Sequence, residues 1–364
     1  MIYSDNLLSV NGEAPYGIHL EMNFNQANKH RLCIAPMMDY TDRHGRYFLR
    51  QITRNALLYS EMITAGAVNQ GERQKLLEFN DKEHPVALQL GGCDASELAK
   101  AAKIGELIGY DEINLNVGCP SERVKRGRFG VCLMKEPDLV AQIIEQIHAA
   151  VNIPVTVKCR IGVEKYESLE SLCEFVRKVK EVGASCVAVH ARVAILEGFS
   201  PKQNRTIPPL NYPRVYTLKK KFRNLEIILN GGIRNLNEVE QHLNYVDGIM
   251  IGRAAFEDPY MLAEADRRIF HDNHDIPTRH TIGRIMLPYI EDVLTKGARL
   301  HNITKHMLGL FHAKPGARQW RRYLSTNVFI PNAGPEVVEK ALELSQKYQG
   351  VMVGRMIKNN PLVL

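Results

Sequence analysis

Eight short apolar segments recur between residues 32 and 251, and this repetition constrains the fold more than any other feature of the sequence. Each segment is rich in β-branched residues, and helical patterns such as residues 96–108 and 137–150 lie between them. The segments are residues 32–38, 56–63, 85–91, 112–117, 154–159, 186–190, 226–229 and 248–251. Segments in which apolar residues do not alternate with polar ones are typical of strands covered on both faces, as in a parallel sheet. Eight successive β-then-α units predict a closed (β/α)8 TIM barrel in the α/β class.

An open, doubly wound sheet is the structural alternative. It usually needs fewer strands, and no GxGxxG motif follows the first apolar segment. The chain has 364 residues, enough for a barrel of about 250 residues and an additional domain. These observations favour the barrel.

The chain after the barrel predicts a small all-α domain. The last barrel helix is expected at residues 260–270, and the polar stretch 271–277 is typical of a linker. Helical patterns follow at residues 281–294, 303–310, 317–325 and 335–348, with no strand pattern among them. We therefore divide the chain into a leader of residues 1–30 without assignment, a barrel domain of residues 31–270 and a helical domain of residues 278–364.

Basic charge is concentrated in the C-terminal part of the chain. Residues 275–364 contain thirteen Lys and Arg against six Asp and Glu, which accounts for the whole net charge of +7. A neutral barrel joined to a basic domain indicates an anionic partner. On charge alone, a basic surface that meets only solvent explains the pattern equally well.

Composition and cysteine spacing indicate a cytoplasmic protein. No apolar run approaches the roughly 18 residues of a membrane helix, so no membrane association is expected. Asp5, Glu13 and Glu21 interrupt the first thirty residues, which have no basic segment followed by an apolar core, so no signal peptide is expected. The seven cysteines show no CxxC spacing and predict reduced thiols without a metal site. We expect a monomer with no obligate protein partner.

Polar residues stand at the ends of seven of the predicted strands. In barrel enzymes the reacting groups lie at these ends. Taken singly, Gln89 could cap a loop and His190 could be a buried structural histidine. Seven polar ends around one mouth predict a ligand site, and they are residues 35–39, 89, 114–120, 158–160, 190–192, 230–232 and 252–253.

Glycines after the last two strands predict a phosphate site. Gly231 and Gly232 follow the seventh strand, and Gly252 with Arg253 follows the eighth, where barrels commonly bind phosphate. Glycine lets backbone N–H groups approach an anion, and arginine adds bidentate charge. Ordinary turn chemistry is the alternative explanation for the glycines.

A phosphate at this place suits a flavin mononucleotide whose ring lies over the mouth. Lys158 would place positive charge beside the N1/O2 edge and stabilise the anionic reduced ring. Gln89 offers both a donor and an acceptor, as the pyrimidine edge of the ring requires. His190 lies near the same centre.

Cys119 is the candidate acid. It stands between Gly118 and Pro120, just past the fourth strand, and a basic, glycine-containing segment follows it. An ordinary cysteine thiol is mostly protonated at neutral pH and can donate a proton. Three other cysteines lie within strands and are expected to be packing residues: Cys33, Cys159 and Cys186.

Six motifs, taken in order, resemble those of the tRNA-dihydrouridine synthases. They are APMMDYT at residues 35–41, NLNVGCP at 114–120, VKCRIG at 157–162, VHAR at 189–192, NGG at 230–232 and IGR at 251–253. The resemblance covers residues 31–330. Two further segments are similar to the A subfamily, namely GFSPKQNRTIPP at residues 198–209 and MLGLFHAKPGARQWRR at residues 307–322. Tyr40 stands where relatives often have Trp.

The resemblance implies a residue-by-residue assignment of the site. It implies Cys119 as the proton donor. It implies FMN contacts from Pro36, Met37, Met38, Gln89, Lys158, His190, Asn230, Gly231, Gly232, Gly252 and Arg253. It implies tRNA contacts from Asn116, Lys202, Arg205, Arg318 and Arg321. The A subfamily acts on D-loop uridines at tRNA positions 20 and 20a, with NADPH as the usual reductant.

The chemistry of uracil agrees with this assignment. The C4 carbonyl polarises the C5=C6 bond, so hydride adds at C6 and the resulting enolate takes a proton at C5 from Cys119. A base in folded RNA must be flipped to reach a barrel mouth, where Asn116 could hold its edge. Arg318 and Arg321 flank Trp320. This pattern is typical of a segment that binds RNA, and a buried Trp320 that only anchors the helix is the alternative explanation. A barrel enzyme for a free pyrimidine such as dihydroorotate, and a non-catalytic RNA-binding protein, remain alternatives.

Overall fold

The computed structural model describes residues 29–359, with side chains up to residue 348, and contains a closed barrel of eight parallel strands. The strands are β1 (Leu32–Ile34), β2 (Leu57–Thr64), β3 (Val86–Gly91), β4 (Glu112–Asn116), β5 (Val155–Arg160), β6 (Cys186–His190), β7 (Glu226–Asn230) and β8 (Gly248–Ile251). Each pairs with the next in sequence, and β8 pairs with β1. The predicted TIM barrel is confirmed, and the open-sheet alternative is wrong. Residues 1–28 of the predicted leader lie outside the described residues.

Helices follow the strands around the barrel. They are α1 (Arg43–Arg50), α2 (Ala65–Gln70), α3 (Arg73–Leu77), α4 (Ala95–Ile108), α5 (Glu122–Arg126), α6 (Pro137–Ala150), α7 (Leu169–Glu181), α8 (Tyr212–Lys221), α9 (Leu236–His242), α10 (Ala254–Glu257) and α11 (Ala265–Phe270). Short 3-10 helices lie at Asp81–Glu83, Gly130–Lys135, Gln203–Arg205 and Pro259–Glu264. Asp94 caps α4 by accepting from the N–H of Glu97 at 2.8 Å.

The C-terminal region is helical over the described residues. Its helices are α12 (Arg279–Thr295), α13 (Leu300–Met307), α14 (Ala317–Asn327) and α15 (Pro335–Asn359). The prediction for the second of these, residues 303–310, was shifted, because α13 ends before Gly309. A Cβ atom on Gly309 would lie 2.7 Å from the carbonyl oxygens of Phe256 and Glu257, so the backbones meet there. No helix among residues 29–359 is long and apolar enough to cross a membrane.

The first strand is shorter than predicted and ends at Ile34. Pro36 has no N–H to continue the ladder, and the chain then turns. The carbonyl of Met37 accepts from the N–H groups of Tyr40 and Thr41 at 3.1 and 3.0 Å. Residues 36–38 therefore lie in a loop at the barrel mouth and not within the strand.

Strand residues alternate between two cores. In β4, Ile113 and Leu115 face the surrounding helices, whereas Glu112, Asn114 and Asn116 face the barrel interior. Small and apolar side chains fill the rest of the interior, namely Cys33, Ala35, Leu57, Tyr59, Ala87, Cys186, Ala188, Ile228 and Met250. Burial of Cys33, Cys159 and Cys186 confirms them as packing residues, and all seven cysteines are free.

A buried ion cluster closes the bottom of the barrel. The Nε2 atom of His30 lies 2.7 Å from Glu112, and its Nδ1 atom bonds Glu226. Burial alone would lower the pKa of His30, but the charges and hydrogen bonds of the two carboxylates raise this pKa to about 9. Cys186, His30 and Glu226 are close enough to surround a cation. A protonated imidazole has no lone pair for a metal, so the ion cluster explains these residues.

Candidate active site

Register between neighbouring strands brings the predicted polar residues to one mouth. Asn116 is opposite Lys158 across β4 and β5, and Arg160 is opposite His190 across β5 and β6. His190 is in turn opposite Asn230 across β6 and β7. Residues spaced two apart in a strand share a face, so these side chains all point into the barrel. The predicted residues of β4 to β7 therefore form one continuous polar wall.

Three groups hold the backbone of the loop that contains Cys119. The Oδ1 atom of Asn116 accepts from the N–H groups of Gly118 and Cys119 at 3.1 and 2.9 Å. The Nε atom of Arg160 donates to the carbonyl of Gly118 at 2.9 Å, and Val131 donates to the carbonyl of Cys119 at 3.1 Å. Cys119 is partly exposed, and its Sγ donates to the hydroxyl of Ser121 at 3.5 Å. The backbone of the loop is therefore fixed around a partly exposed cysteine.

The mouth concentrates positive charge. Burial, with a contribution from Arg160, lowers the pKa of Lys158 to about 8. Burial also lowers the pKa of Arg160 to about 10. Burial and the cations Arg160, Lys158, Arg192 and Arg205 lower the pKa of His190. Among residues 29–348, no carboxylate forms an ion pair with any of these groups. An anionic ligand would relieve this repulsion.

Two buried polar atoms at the mouth have no partner within the described part of the chain. They are the Nδ1 atom of His190 and the Nε atom of Arg192. Buried polar groups are rarely left unpaired, so unsatisfied atoms beside a cluster of cations indicate a missing ligand. This is the observation that fits a phosphorylated cofactor such as FMN.

The loop after β7 begins with two glycines in the left-handed backbone region. Gly231 and Gly232 have φ angles of +113° and +78°, which favour glycine. A Cβ on Gly232 would lie 2.6 Å from Leu210 Cδ1 and 2.7 Å from the Tyr212 hydroxyl, so no side chain fits there. The amide of Asn230 donates to the carbonyl of Met250 at 2.7 Å and ties the two loops together.

The loop after β1 lies beside the loop after β8. Gly252 is close enough to Met37 that an added Cβ would be 3.8 Å from its sulfur. Pro36 and Met37 are partly buried, Met38 is 52% exposed, and Arg253 is exposed. The predicted cofactor residues of β1, β7 and β8 thus occupy adjoining loops.

Gln89 and Asn116 are more deeply placed than the sequence suggested. Gln89 is 1% exposed, and its amide is hydrogen-bonded on both sides, to Asn114 and Asn116, at 2.8 Å. One N–H and one lone pair of Gln89 remain for a ligand, and one N–H of Asn116. Gln89 therefore keeps one donor and one acceptor for a ligand, and Asn116 keeps one donor.

The predicted tRNA residues beyond Asn116 occupy two elements. Lys202 and Arg205 are exposed on the loop after β6, which buried Asn204 fixes through two 2.8 Å bonds with the backbone of Ile195. Arg318 and Arg321 are exposed on α14. Trp320 between them is fully buried and donates from Nε1 to the carbonyl of Met307 at 3.0 Å. Trp320 anchors the helix and cannot stack on RNA.

The sequence patterns give no individual role to four residues that shape the site, although Asn114, Arg160 and Arg192 lie within the predicted polar strand ends. Arg160 and Arg192 add charge at the mouth, and Asn114 and Thr156 bond within the barrel interior. The alternation of side chains along each strand is a usable signal for three of the four. Alternation in β4 places Asn114 on the face of Asn116, and alternation in β5 places Thr156 and Arg160 on the face of Lys158.

Comparison with known proteins agrees with the geometry. The family model described as "Dihydrouridine synthase (Dus)" matches residues 33–347. The tRNA-dihydrouridine(20/20a) synthase of a Synechocystis strain is 55% identical over 322 residues, 88% of this chain and 96% of that protein. Those of Vibrio cholerae and an Escherichia coli strain are 53% and 52% identical, over 86% of this chain and 95% of each relative.

A solved structure described as a complex of 2-naphthoyl-CoA reductase with 2-naphthoyl-CoA has a TM-score of 0.51. Its identity is 11%, and the match covers 65% of this chain and 49% of that one, so it supports the fold alone. The family match spans most of the chain and includes the whole barrel mouth. The chain belongs to the dihydrouridine synthase family.

Proposed function

We propose that this chain reduces uridines at positions 20 and 20a of tRNA to 5,6-dihydrouridine, using FMN as bound cofactor and NADPH as reductant. The observation that carries the proposal is the partly exposed Cys119 thiol beside the unpaired cations Lys158 and Arg160. An acid next to a site for an anionic ring is the arrangement that this reduction needs. Relatives with 52–55% identity carry the corresponding name.

The residues at the mouth suit FMN. When bound, FMN supplies the hydride for C6 of the uracil, after its own reduction by NADPH. Lys158 would hold the charge of the reduced ring, and the unpaired Nδ1 of His190 would find a partner. The residues proposed to contact FMN are Pro36, Met37, Met38, Gln89, Lys158, His190, Asn230, Gly231, Gly232, Gly252 and Arg253.

Cys119 would deliver the proton to C5. The Sγ–H bond breaks as the C5–H bond forms, which leaves a thiolate. Lys158 and Arg160 both interact electrostatically with Cys119, so their charges would stabilise the thiolate that proton transfer leaves. The spare N–H of Asn116 would donate to a uracil carbonyl and orient the flipped base.

The basic surfaces would bind the tRNA. Lys202 and Arg205 lie on the loop that Arg160 contacts through the Asn204 carbonyl, so they are placed to grip RNA next to the flipped base. Arg318 and Arg321 would hold a second part of the tRNA. We assign cofactor and chemistry to residues 31–270 and tRNA binding mainly to residues 278–364, in a monomeric cytoplasmic protein.

The purified protein tests this proposal directly. An unmodified tRNA transcript with uridines at positions 20 and 20a is incubated with the protein and NADPH, and dihydrouridine is mapped by mass spectrometry of nuclease fragments. We expect conversion at positions 20 and 20a and release of FMN on denaturation. Free dihydroorotate and free uridine serve as controls. Turnover of a free pyrimidine without conversion of tRNA would establish the small-molecule alternative.

A further inference from the structure

A continuous chain of hydrogen bonds runs through the barrel interior from its floor to the Cys119 loop. Its five side chains come from three neighbouring strands, in the order Glu112, Thr156, Asn114, Gln89 and Asn116. The four bonds between them measure 2.6 to 2.8 Å. The last residue accepts the N–H groups of Gly118 and Cys119.

The chain of hydrogen bonds begins at an acceptor, the carboxylate of Glu112. His30 and Lys29 lie 2.7 and 3.3 Å from Glu112, and Tyr59 donates to its Oε1 at 2.7 Å. Burial alone would raise the pKa of Glu112, but these cationic neighbours lower it to about 2. An ionised carboxylate only accepts hydrogen bonds. Thr156 must therefore donate its single O–H to Glu112, at 2.6 Å.

This starting point fixes the direction of every later bond. With its proton committed, the Thr156 oxygen can only accept, so Asn114 turns its NH2 group towards it and its Oδ1 towards Gln89. Gln89 must then donate from Nε2 and direct Oε1 to the NH2 group of Asn116. Reversal of any one amide would place two donors or two acceptors face to face. The Oδ1 of Asn116 is thereby left for the Cys119 loop.

We propose that Glu112, Thr156 and Asn114 are positioning residues that fix the amide orientations of Gln89 and Asn116 and, through Asn116, the backbone of the Cys119 loop. All three are at most 1% exposed, and each lies two or more residues before the mouth residue of its own strand, Asn116 or Lys158. Their effect passes through the amides of Gln89 and Asn116, which keep spare hydrogen-bonding groups. The inference rests on the proposed function only for the role of Cys119 as acid.

Three variants of the full chain give the first test of the proposal. Thr156→Val keeps the side-chain shape but removes both the donor and the acceptor. Thr156→Ser keeps both and is the conservative rescue. Thr53→Val is the matched control, because the buried Thr53 hydroxyl also donates to a carboxylate, Asp266 at 2.7 Å, outside the chain of bonds.

The first readout is amide hydrogen exchange in a peptide that spans residues 116–121. We expect about fivefold or faster exchange of the Gly118 and Cys119 amides in Thr156→Val, because their acceptor loses its fixed orientation. Thr156→Ser should restore protection, and Thr53→Val should leave this peptide unchanged. Exchange does not depend on flavin or tRNA, so it decides the proposal even where dihydrouridine formation by wild type fails.

The second readout separates the two half-reactions. Thr156→Val should lower the rate of tRNA reduction by about tenfold or more, while NADPH-driven flavin reduction changes less. Asn114→Leu cuts the chain one bond higher and should give the same exchange pattern, even where Thr156→Val folds poorly. Wild-type exchange at Gly118 and Cys119 in a folded Thr156→Val or Asn114→Leu protein would overturn the proposal. An equal effect of Thr53→Val would also overturn it, by making the change a general loss of stability.

Discussion

The carboxylate of Asp42 lies 2.9 Å from the ammonium of Lys305, and this contact joins the barrel to the C-terminal helices. The Oδ1 atom of Asp42 also caps α1 by accepting from the N–H of Gly45, and the same oxygen lies 2.8 Å from Nε2 of His306. Nearby, Tyr289 of α12 stacks on Tyr47 of α1 with ring centroids 3.7 Å apart. The helical region is therefore attached beside the loop that follows β1.

Asp42→Asn should destabilise the protein by about 1–3 kcal/mol at neutral pH, because asparagine still caps α1 but carries no charge for Lys305 and His306. Burial alone would raise the pKa of Asp42, but these two residues and the Gly45 N–H hold it well below its usual range. Its contribution is complete above the unfolded pKa of about 3.9, begins to fall below that value and is lost only as the pH falls through the lower folded pKa. Urea unfolding at pH 6, pH 3.5 and pH 2.5 should therefore show a difference between the two proteins that shrinks at each step. A difference that stays constant over this range would contradict the assignment.

Cys119→Ala should retain bound flavin and NADPH oxidation but lose dihydrouridine formation, because reduction of the C5=C6 bond needs a proton at C5. Flavin absorbance and mass mapping of tRNA measure the two steps. Cys173→Ala, on the outer helix α7, is the matched control and should behave as wild type. Near wild-type conversion by Cys119→Ala would place the proton donor elsewhere.

Lys158→Ala should slow the flavin reaction itself, because the positive charge beside the reduced ring is removed. Stopped-flow reduction by NADPH in the absence of tRNA measures this step, for which we expect a loss of about 100-fold. Reduction at the wild-type rate would remove Lys158 from the flavin site.

Lys158 should also give the ligand-free protein a distinctive pH dependence. Burial lowers its pKa to about 8 in the folded chain, against about 10.4 in the unfolded chain. Between these values the unfolded chain binds the extra proton, so stability rises with pH in this window. We expect the free energy of unfolding of wild type, relative to that of Lys158→Met, to increase from pH 8 to pH 10. A constant difference between them would show that the lysine is not desolvated.

Charge removal from Arg318 and Arg321 together should weaken tRNA binding and leave flavin content intact. Each lost phosphate contact should flatten the log–log salt dependence of the binding constant by roughly 0.7–0.9. Lys296→Ala/Lys340→Ala removes equal charge from the same region and should weaken binding less. Reduced thermal stability with wild-type tRNA affinity would show that the two arginines only support the helix around Trp320.

Local pattern was sufficient to predict most of the secondary structure. Apolar segments predict all eight strands, and the helix predicted to start at residue 137 does start at Pro137. The first strand was predicted too long, because the apolar pattern continues through Met37 and Met38. The strand itself ends at Ile34, since Pro36 has no N–H for the ladder. The helix predicted at residues 303–310 was shifted, because the close approach at Gly309 is a contact with a distant part of the chain.

The mouth was predictable because the strand ends of a barrel meet whatever their distance in sequence. The hydrogen bonds between its side chains were not predictable. The bonds of Gln89 with Asn114 and Asn116 join residues 25 and 27 positions apart, and they depend on the register between strands. The contact of Arg160 with the Gly118 carbonyl spans 42 positions and likewise follows from register. Local periodicity gives the face of each residue but not its neighbour on the next strand.

The approach of Gly309 to the carbonyls of Phe256 and Glu257 sets a limit on recombining this protein with its relatives. A chimaera that takes its helical region from one parent and its barrel from another joins two backbones that touch with no side chain between them. Any Cβ at position 309, or a longer segment at residues 254–258, would push the C-terminal helices away from the eighth barrel loop. The unit that can be exchanged is therefore not the helical region alone. It is that region together with residues 254–258, and crossovers placed before β8 should give more active hybrids than crossovers in the linker at residues 271–277.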